Sequence, residues 1–293
     1  MVSETASYTD LLRCGVSRGR LRTMVAHRGW VAIRHGVYAE AQQPTLRLKL
    51  AAAEAGLGRG WVASHGTAAL LHGLVLLRPA RADRIVLTVS PETWGHSDPV
   101  GVHVHRARLP ARHVTAVDGV PVTTAARTLV DLGRLLPLRD GVVAMDAALH
   151  ARQVARDELL AVIVACRGWP WIRRAGRAVE LSDPAAESPL ESLSRLFFVD
   201  HAIPMPRSQV TLLRNGLFIA RTDFWWELQR VAGEADGLAK YTDADVLRAE
   251  KLRQERIEAT GARVVRWTWS DIERPLAARR TAERLRTALA LTA

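Results

Sequence analysis

Three carboxylates in the last third of the 293-residue chain are spaced in a way that suits a metal ion: Asp223, Glu234 and Asp236. Glu234 and Asp236 are two residues apart on a predicted strand, so both project from the same face. Asp223 lies on the neighbouring predicted strand. Because converging carboxylates repel one another, they need a cation, and Mg²⁺ prefers carboxylate and water oxygens. The pattern predicts a Mg²⁺ or Mn²⁺ site that activates water for phosphodiester hydrolysis, with the three acids as ligands and catalytic residues.

The neighbours of these acids distinguish a metal site from an ordinary charged surface. A single acid on an exposed strand is usually only solvated. Asp223, however, directly precedes the run Phe224–Trp226, and Glu234 lies in a small apolar strand. An acid among apolar neighbours needs a partner or a metal. Lys240, four residues after Asp236, is predicted to stabilise charge on the phosphate or to orient the attacking water.

The elements that must position these acids follow a stretch rich in helix breakers at 181–187. Ser188 predicts the start of a helix that ends near Asp200. Asn215-Gly216 is a strong hairpin signal because both positions tolerate positive φ. The predicted strands are 209–213, 217–226, 231–236 and 263–269, and the later predicted helices are one that ends at Gly261 and one over 274–291. The predicted order is therefore α-β-β-β-α-β-α.

This third block resembles the very-short-patch-repair (Vsr)-like endonuclease domains of the PD-(D/E)XK nuclease superfamily. The superfamily's core order, α-β-β-β-α-β, matches the predicted one. The resemblance implies that Asp223 and Glu234 bind the metal and that an acid on the preceding helix, Glu191, joins the catalytic site. It rests on the runs Arg221–Trp226, Gly233–Gly237, Lys240-Tyr241, Glu250-Lys251 and Gly261–Trp269.

Two residues of this pattern each keep two interpretations. The superfamily has a lysine two residues after the second acid, where Asp236 stands here. Either Asp236 is a further ligand and Lys240 replaces that lysine, or the site has lost its chemistry. Glu191 follows Ser188 and Pro189 in the pattern of a capping box, in which the glutamate binds the start of its own helix. Capping and metal binding both stay open for Glu191.

The first block predicts a winged helix-turn-helix. A short helix ends at Gly15, Ser17 caps a second helix to about His27, and two strands flank the tip Arg34-His35. The second helix of such a motif enters the major groove, where its first side chains contact bases and phosphates. The predicted DNA-binding residues are Ser17, Arg18, Arg20, Arg22, Thr23, Arg34 and His35.

This block and the next resemble the AbiEi-type antitoxins of type IV toxin–antitoxin systems. The first carries the resemblance in Leu11–Ala39, and the second in 64–69 and 119–129. The resemblance implies a DNA-binding autoregulator whose partners are DNA and a toxin protein. The alternative for the first block is a winged helix that makes protein contacts.

Composition is compatible with a nucleic-acid partner and excludes other classes. The formal net charge of +11 points to a polyanion. Only three of the 41 basic residues are lysines, which is also the bias of a GC-rich genome. Two cysteines form neither a metal-ligand pattern nor a disulfide framework, so we expect a reducing, cytoplasmic compartment. No apolar run is long enough to predict a signal peptide or a membrane span.

Aromatic and histidine residues are interpreted as structural. Tryptophans at alternating strand positions belong to the core more often than they stack on bases; these are Trp225, Trp226, Trp267 and Trp269. His103 and His105 share a strand face but lack a third ligand in the sequence. The second block therefore shows no evident catalytic cluster.

The sequence as a whole predicts an α+β multidomain protein. The predicted domains are a winged helix-turn-helix at 1–42, an α+β middle domain at 43–180, and a restriction-endonuclease-like α/β domain at 187–293. The first hypothesis is a metal-dependent DNA endonuclease positioned by the winged helix. The alternative is a non-catalytic DNA-binding regulator of the antitoxin class, with a degenerate nuclease fold.

Overall fold

The chain has a mixed α+β architecture in two compact units. In this computed structural model one unit comprises residues 1–135 and 161–172, and the other comprises 136–160 and 173–293. The predicted domain boundaries stay a prediction. Residues described by the structure are 5–27, 29–34, 36–40, 45–57, 60–81, 84–92, 101–237 and 244–290. Across those ranges, every helix is too short or too polar to cross a membrane.

The first unit begins with two helices and a small antiparallel sheet. The helices are α1 (Tyr8–Arg13) and α2 (Arg18–His27), and the strands are β1 (Ala6–Ser7), β2 (Trp30–Arg34) and β3 (Val37–Glu40), in the order β1-β3-β2. Each helix starts at a serine: Ser7 Oγ accepts from the Asp10 amide at 3.1 Å, and Ser17 Oγ accepts from the Arg20 amide at 3.3 Å. Serine suits this position because it satisfies an amide that has no helical partner.

A five-stranded sheet forms the core of the first unit. Its order is β6-β5-β4-β8-β7. The strands are β4 (Trp61–Ala63), β5 (Ile85–Val89), β6 (Val102–Arg106), β7 (Val114–Val117) and β8 (Val120–Thr123). The helices of this region are α3 (Leu46–Leu57), α4 (His65–Leu71) and α5 (Ala125–Leu135), with a short 3₁₀ turn at Ala111–His113. Leu50, Leu87 and Val122 are buried in one apolar cluster.

The second unit has a four-stranded sheet in the order β12-β11-β10-β9. Its strands are β9 (Arg207–Arg214), β10 (Leu217–Trp226), β11 (Val231–Ala235) and β12 (Arg263–Trp267). β11 and β12 are parallel, so the chain crosses over between them through a helix. The remaining helices are α6 (Leu138–His150), α7 (Arg156–Ala165), α8 (Ile172–Leu181), α9 (Pro189–Asp200), α10 (Ala244–Glu258), α11 (Trp269–Glu273) and α12 (Pro275–Ala290).

Most predicted elements of the third block are confirmed, and one is shorter. The hairpin turn lies at Asn215 and Gly216, with φ of 52° and 77°. The last strand was expected to reach Trp269 but ends at Trp267. Thr268 and Asp271 form a capping box that begins the short helix α11 instead. The local cap therefore outcompetes the continuing apolar alternation.

The tryptophans of this unit belong mainly to its core, in line with their structural interpretation. Trp226 and Trp267 are buried with Phe198 and Phe224, and Trp225 is buried in a second apolar cluster. Trp267 Nε1 donates to Ser194 Oγ at 2.7 Å, which satisfies the buried indole. Trp269 is only half-buried and lies in α11.

Candidate functional site

The sheet of the second unit places Asp223 and Glu234 side by side. β10 and β11 pair Phe224 with Gly233, so the next positions along the antiparallel ladder are Asp223 and Glu234. Asp223 Oδ2 also accepts from the Ala235 amide at 2.8 Å, which ties its carboxylate to β11. The predicted proximity of these two acids is confirmed. Their role as metal ligands stays a prediction.

Burial raises the pKa values of both acids. The pKa of Asp223 rises to about 6 because the carboxyl is buried, and the Ala235 amide opposes this rise. The pKa of Glu234 rises to about 7, again because of burial, and Arg253 opposes it. Repulsion between carboxylates raises both pKa values further. Glu191 and Asp236 raise the pKa of Asp223, and Asp223 raises the pKa of Glu234. The predicted acids therefore form one electrostatic cluster.

Glu234 is the least satisfied member of this carboxylate cluster. Its side chain is 3% exposed, and Oε2 accepts from Arg253 Nη1 at 2.9 Å. Oε1 is buried and has no hydrogen-bond partner within the described part of the chain. A buried acceptor without a donor is costly and calls for an explanation such as an ion or a water. Arg253 itself was missed by sequence analysis, because it lies on α10, 19 residues away.

Glu191 forms only part of the predicted capping box, because its carboxylate accepts from the Ser188 hydroxyl and the Glu187 amide in place of the Ser188 amide. Ser188 Oγ accepts from the Glu191 amide at 3.2 Å and donates to Glu191 Oε1 at 2.8 Å. Glu191 Oε2 accepts from the Glu187 amide at 3.0 Å and from Gln209 Nε2 at 2.8 Å. Both Glu191 carboxylate oxygens therefore accept hydrogen bonds from the protein. The negative charge of Glu191 also raises the pKa of Asp223. Gln209, held on β9 with a positive φ of 52°, had no signal in the sequence.

The other two predicted members differ in how far the structure describes them. Asp236 follows β11, and its amide donates to the Trp267 carbonyl at 2.9 Å. Its carboxylate lies 3.5 Å from Arg266 Nη1, and both side chains are partly exposed. Lys240 lies outside the described residues.

This cluster offers the right type of ligand for a divalent cation, but too few ligands to complete the cation's coordination shell. Two adjacent carboxylates and the unpartnered Glu234 oxygen offer the hard oxygen ligands that Mg²⁺ takes. In the ranges that the structure describes, no group of three or more His, Cys, Asp or Glu side chains is arranged to hold a metal ion. A bound cation would therefore need water or substrate oxygens to complete its shell.

All the predicted DNA-binding residues at the start of α2 are exposed to solvent, and one of them is also tethered to α1. The exposed residues are Ser17, Arg18, Arg20, Arg22 and Thr23. Arg18 is tethered: its Nε donates to the Tyr8 hydroxyl, and its guanidinium lies 5.8 Å from that ring. The side chain of Arg34 and the whole of His35 lie outside the described residues. On the same helix the apolar residue Leu21 is buried, whereas Val25 is 39% exposed.

Val25 is exposed because it borders an open groove between α2 and the small sheet. The groove has a volume of about 650 Å³ and is lined in part by Tyr8, Arg22 and Tyr38. The face of α2 that carries Arg18 and Arg22 is therefore partly apolar.

The middle block contains a buried charged cluster that sequence analysis missed. Arg127, Asp131 and Arg134 lie on successive turns of α5, and all three are buried. Spacings of three and four residues bring side chains together on one helix face. That spacing was a signal in the sequence, but burial of the charges depends on the rest of the unit.

Comparison with known proteins gives three results. Residues 60–181 match the AbiEi antitoxin C-terminal domain family, which confirms the resemblance expected for the middle block. Two uncharacterized proteins of Mycobacterium tuberculosis, MT2308 (strain CDC 1551 / Oshkosh) and Rv2248 (strain ATCC 25618 / H37Rv), are each 31% identical over 259 residues, 88% of this chain and 93% of theirs. The crystal structure of the RV2827C protein from M. tuberculosis covers 72% of this chain and 84% of its own, at 17% identity and a TM-score of 0.44.

Proposed function

The chain belongs to the same family as MT2308 and Rv2248 of M. tuberculosis, and from this premise we propose that it is a DNA-binding regulator of the antitoxin class. The observation that carries the proposal is the match of residues 60–181 to the AbiEi antitoxin C-terminal domain family. The net charge of +11 suits a DNA partner. The proposal also implies a toxin protein as a second partner and a cytoplasmic location.

In this proposal the N-terminal block is a winged helix, and α2 is its recognition helix. α2 presents Arg20, Arg22 and Thr23 to solvent. Arginine forks donate to phosphate oxygens and to guanine edges, and the positive end of the helix dipole lies at the same end of α2. Arg18 has a different role, since its contact with Tyr8 joins α2 to α1.

The test is binding to duplex DNA from the region upstream of the protein's own gene, followed by fluorescence anisotropy over a range of salt concentrations. Each of Arg20→Ala and Arg22→Ala should weaken binding and reduce the slope of log K against log salt by about 1. Arg177→Ala is the matched control, because it removes the same charge from an exposed arginine paired with Glu180. Equal losses in all three variants, or none, would refute the proposed interface.

A toxin partner is tested separately. The full chain would be co-expressed with the product of the adjacent gene, and co-elution would be measured by size-exclusion chromatography. A stable complex that relieves growth arrest by that product supports the antitoxin assignment. Growth arrest that persists with both proteins present contradicts it.

A second candidate function is metal-dependent phosphodiester hydrolysis by a Vsr-like, restriction-endonuclease-like domain in the second unit. The observation that favours it is the buried, unpartnered Oε1 of Glu234 beside Asp223. Asp223 and Glu234 would hold Mg²⁺ or Mn²⁺, with Asp236 as a further ligand. Such an ion polarises the phosphate and lowers the pKa of bound water. Glu191 would orient the pair through the start of α9, Arg253 would neutralise one Glu234 oxygen, and Lys240 would offset charge on the phosphate.

The second candidate is tested by incubating the protein with plasmid, single-stranded and mismatched DNA in Mg²⁺ or Mn²⁺. Asp223→Asn should abolish cleavage, because it removes a ligand and keeps the side-chain size. Asp200→Asn, the same change at an exposed position, should cleave like the wild type. If the wild type cuts none of these substrates, or if Asp223→Asn cuts equally well, the hydrolytic function is wrong and the regulator stands without it.

A further inference from the structure

A groove in the second unit runs between the edge strand β12 and the last helix of that unit, α12, and neither proposed function uses its residues. Its volume is about 680 Å³, within the size range of ligand sites. The groove therefore combines a sheet edge with a charged helix. The wall residues that matter for recognition are Arg263, Val264 and Val265 of β12 and Arg280, Glu283 and Arg284 of α12.

The strand wall of the groove is the edge of the four-stranded sheet. Among the described strands, β12 pairs only with β11. The Arg263 amide donates at 2.9 Å to the carbonyl of Arg230, the residue just before β11. Backbone groups alternate sides along a strand, so the N–H and C=O of Val264 and Arg266 point away from β11. Such outward groups can pair with an added strand.

The helix wall is joined to this edge by one arginine. Arg284 Nη2 donates to the Arg266 carbonyl at 2.9 Å, so one outward carbonyl of β12 already has a donor from α12. Val264, two residues earlier, has no strand beside it on that side among the described residues. An extended segment in the groove can therefore pair with the N–H and C=O of Val264, as in strand addition to a sheet edge.

The two faces of an added strand would meet different surroundings. Val265 lies in an apolar cluster with Leu285 of α12, and Val264 packs against a separate cluster that contains Ile257 of α10. Arg263 shares the face of Val265, because side chains alternate along the strand. Residues of an added strand that point toward α12 therefore meet arginines, and those that point the other way border the second apolar cluster.

The charges of the groove wall favour an acidic partner. Arg263, Arg280 and Arg284 are exposed, and Glu283 is the one acidic side chain among the described residues that line the groove with them. These arginines are solvated in the free protein, so the fold does not depend on a counter-ion. They attract an approaching segment of negative charge and repel one of positive charge, which sets the association rate and the specificity.

Two other occupants fit the groove less well. A second copy of the chain paired through β12 would bring its own Arg263, Arg280 and Arg284 against the same three residues, and like charges across a strand pair are destabilising. DNA would supply phosphate oxygens for the arginines, but phosphates only accept hydrogen bonds and leave the Val264 carbonyl without a donor. A peptide supplies both a donor and an acceptor at each residue.

We propose that this groove binds an extended acidic segment of a partner protein, which adds to β12 as a further strand. Its aspartate or glutamate side chains alternate with apolar ones, so that the carboxylates face α12. There they accept paired hydrogen bonds from the guanidinium groups of Arg280 and Arg284. This goes beyond the proposed function, since it uses neither α2 nor the pair of Asp223 and Glu234.

The test measures binding to the full-length protein by fluorescence anisotropy at constant ionic strength. The probes are a labelled peptide of alternating valine and glutamate, its counterpart of alternating valine and lysine, and a short DNA oligonucleotide. The glutamate peptide should bind saturably and the lysine peptide should not. Alternate amides of a strand face the neighbouring strand. N-methylation of one set, either all the valine amides or all the glutamate amides, should therefore abolish binding, and methylation of the other set should preserve it.

Arg280→Glu should raise the Kd of the glutamate peptide about tenfold or more, the effect of losing one charged hydrogen bond. Arg279→Glu is the matched control and should bind like the wild type, because it makes the same charge change at an exposed neighbour outside the groove wall. The proposal is overturned by wild type that does not saturate with the glutamate peptide, by equal losses in the two variants, or by equal effects of the two methylation patterns. Binding of the oligonucleotide alone, or a wild-type dimer that Arg280→Glu dissociates, would also overturn it.

Discussion

Replacing Asp131 with asparagine removes the carboxylate that two buried guanidinium groups, those of Arg127 and Arg134, share. Asp131 is 1% exposed and Arg127 is 2% exposed, so water cannot take over the lost interaction. Removing one partner of a buried ion pair costs about 3–5 kcal/mol, and the retained amide oxygen favours the lower end, about 3 kcal/mol. For a unit of this size that is a fall in Tm of roughly 6–12 °C. Differential scanning calorimetry measures it and separates the transitions of different units.

The matched control is Asp118→Asn, the same chemical change at an exposed turn of the same unit. Asp118 has a φ of 49°, which asparagine tolerates, so its Tm should barely change. A second test adds Arg134→Gln to Asp131→Asn. The double variant should cost less than the two single costs together, because it leaves one fewer unpaired buried charge. If Asp131→Asn costs less than about 1 kcal/mol, the buried network contributes far less than this reasoning requires.

Three further outcomes are expected. Burial raises the folded pKa of Glu234 from 4.5 to about 7, so the folded state retains a proton that the unfolded chain releases. The free energy of unfolding should therefore fall as pH rises between these values, by about 3 kcal/mol from this group. Glu234→Gln should flatten that fall in thermal melts run with EDTA. A pH dependence of Tm that is the same in the variant and the wild type would contradict this prediction. Gly233→Ala should lower Tm strongly, because the added Cβ would lie 2.6 Å and 2.9 Å from two tryptophan rings. Gly237→Ala, with no atom of the described residues within 4 Å of the added Cβ, should not lower it. Similar Tm values for both variants would contradict the packing argument. Gly176→Ala, inside α8, should stabilise the fold by about 1 kcal/mol in urea denaturation, because no atom in the described part of the chain lies within 4 Å of the added Cβ. A loss of stability would contradict this.

The antitoxin and nuclease interpretations depend on different parts of the chain, so their tests are independent. Arg20 and Arg22 carry the first, and Asp223 and Glu234 carry the second. A chain that binds DNA through α2 and cuts nothing is a regulator whose carboxylate cluster has another purpose. The ion pair between Glu234 and Arg253 offers that purpose, since it joins α10 to the sheet.

The sequence by itself determined the features that depend on neighbours a few residues apart. Asn215-Gly216 specifies its hairpin because both residues accept positive φ. Ser188 specifies the start of α9 as its N-cap, since its side chain accepts from the Glu191 amide. The element order of the last block, and the adjacency of Asp223 to Glu234, follow from strand alternation and the hairpin pattern.

Only the tertiary structure decided which distant groups meet, because packing of whole elements selects those contacts. Glu234 meets Arg253 across 19 residues, and Gln209 reaches Glu191 across 18. In the middle block the spacing of Arg127 and Asp131 was visible in the sequence, but their burial over Trp169 was not. The carboxylate cluster was therefore predictable as a set of residues, while the groove between β12 and α12 became visible only once the sheet and that helix were brought together.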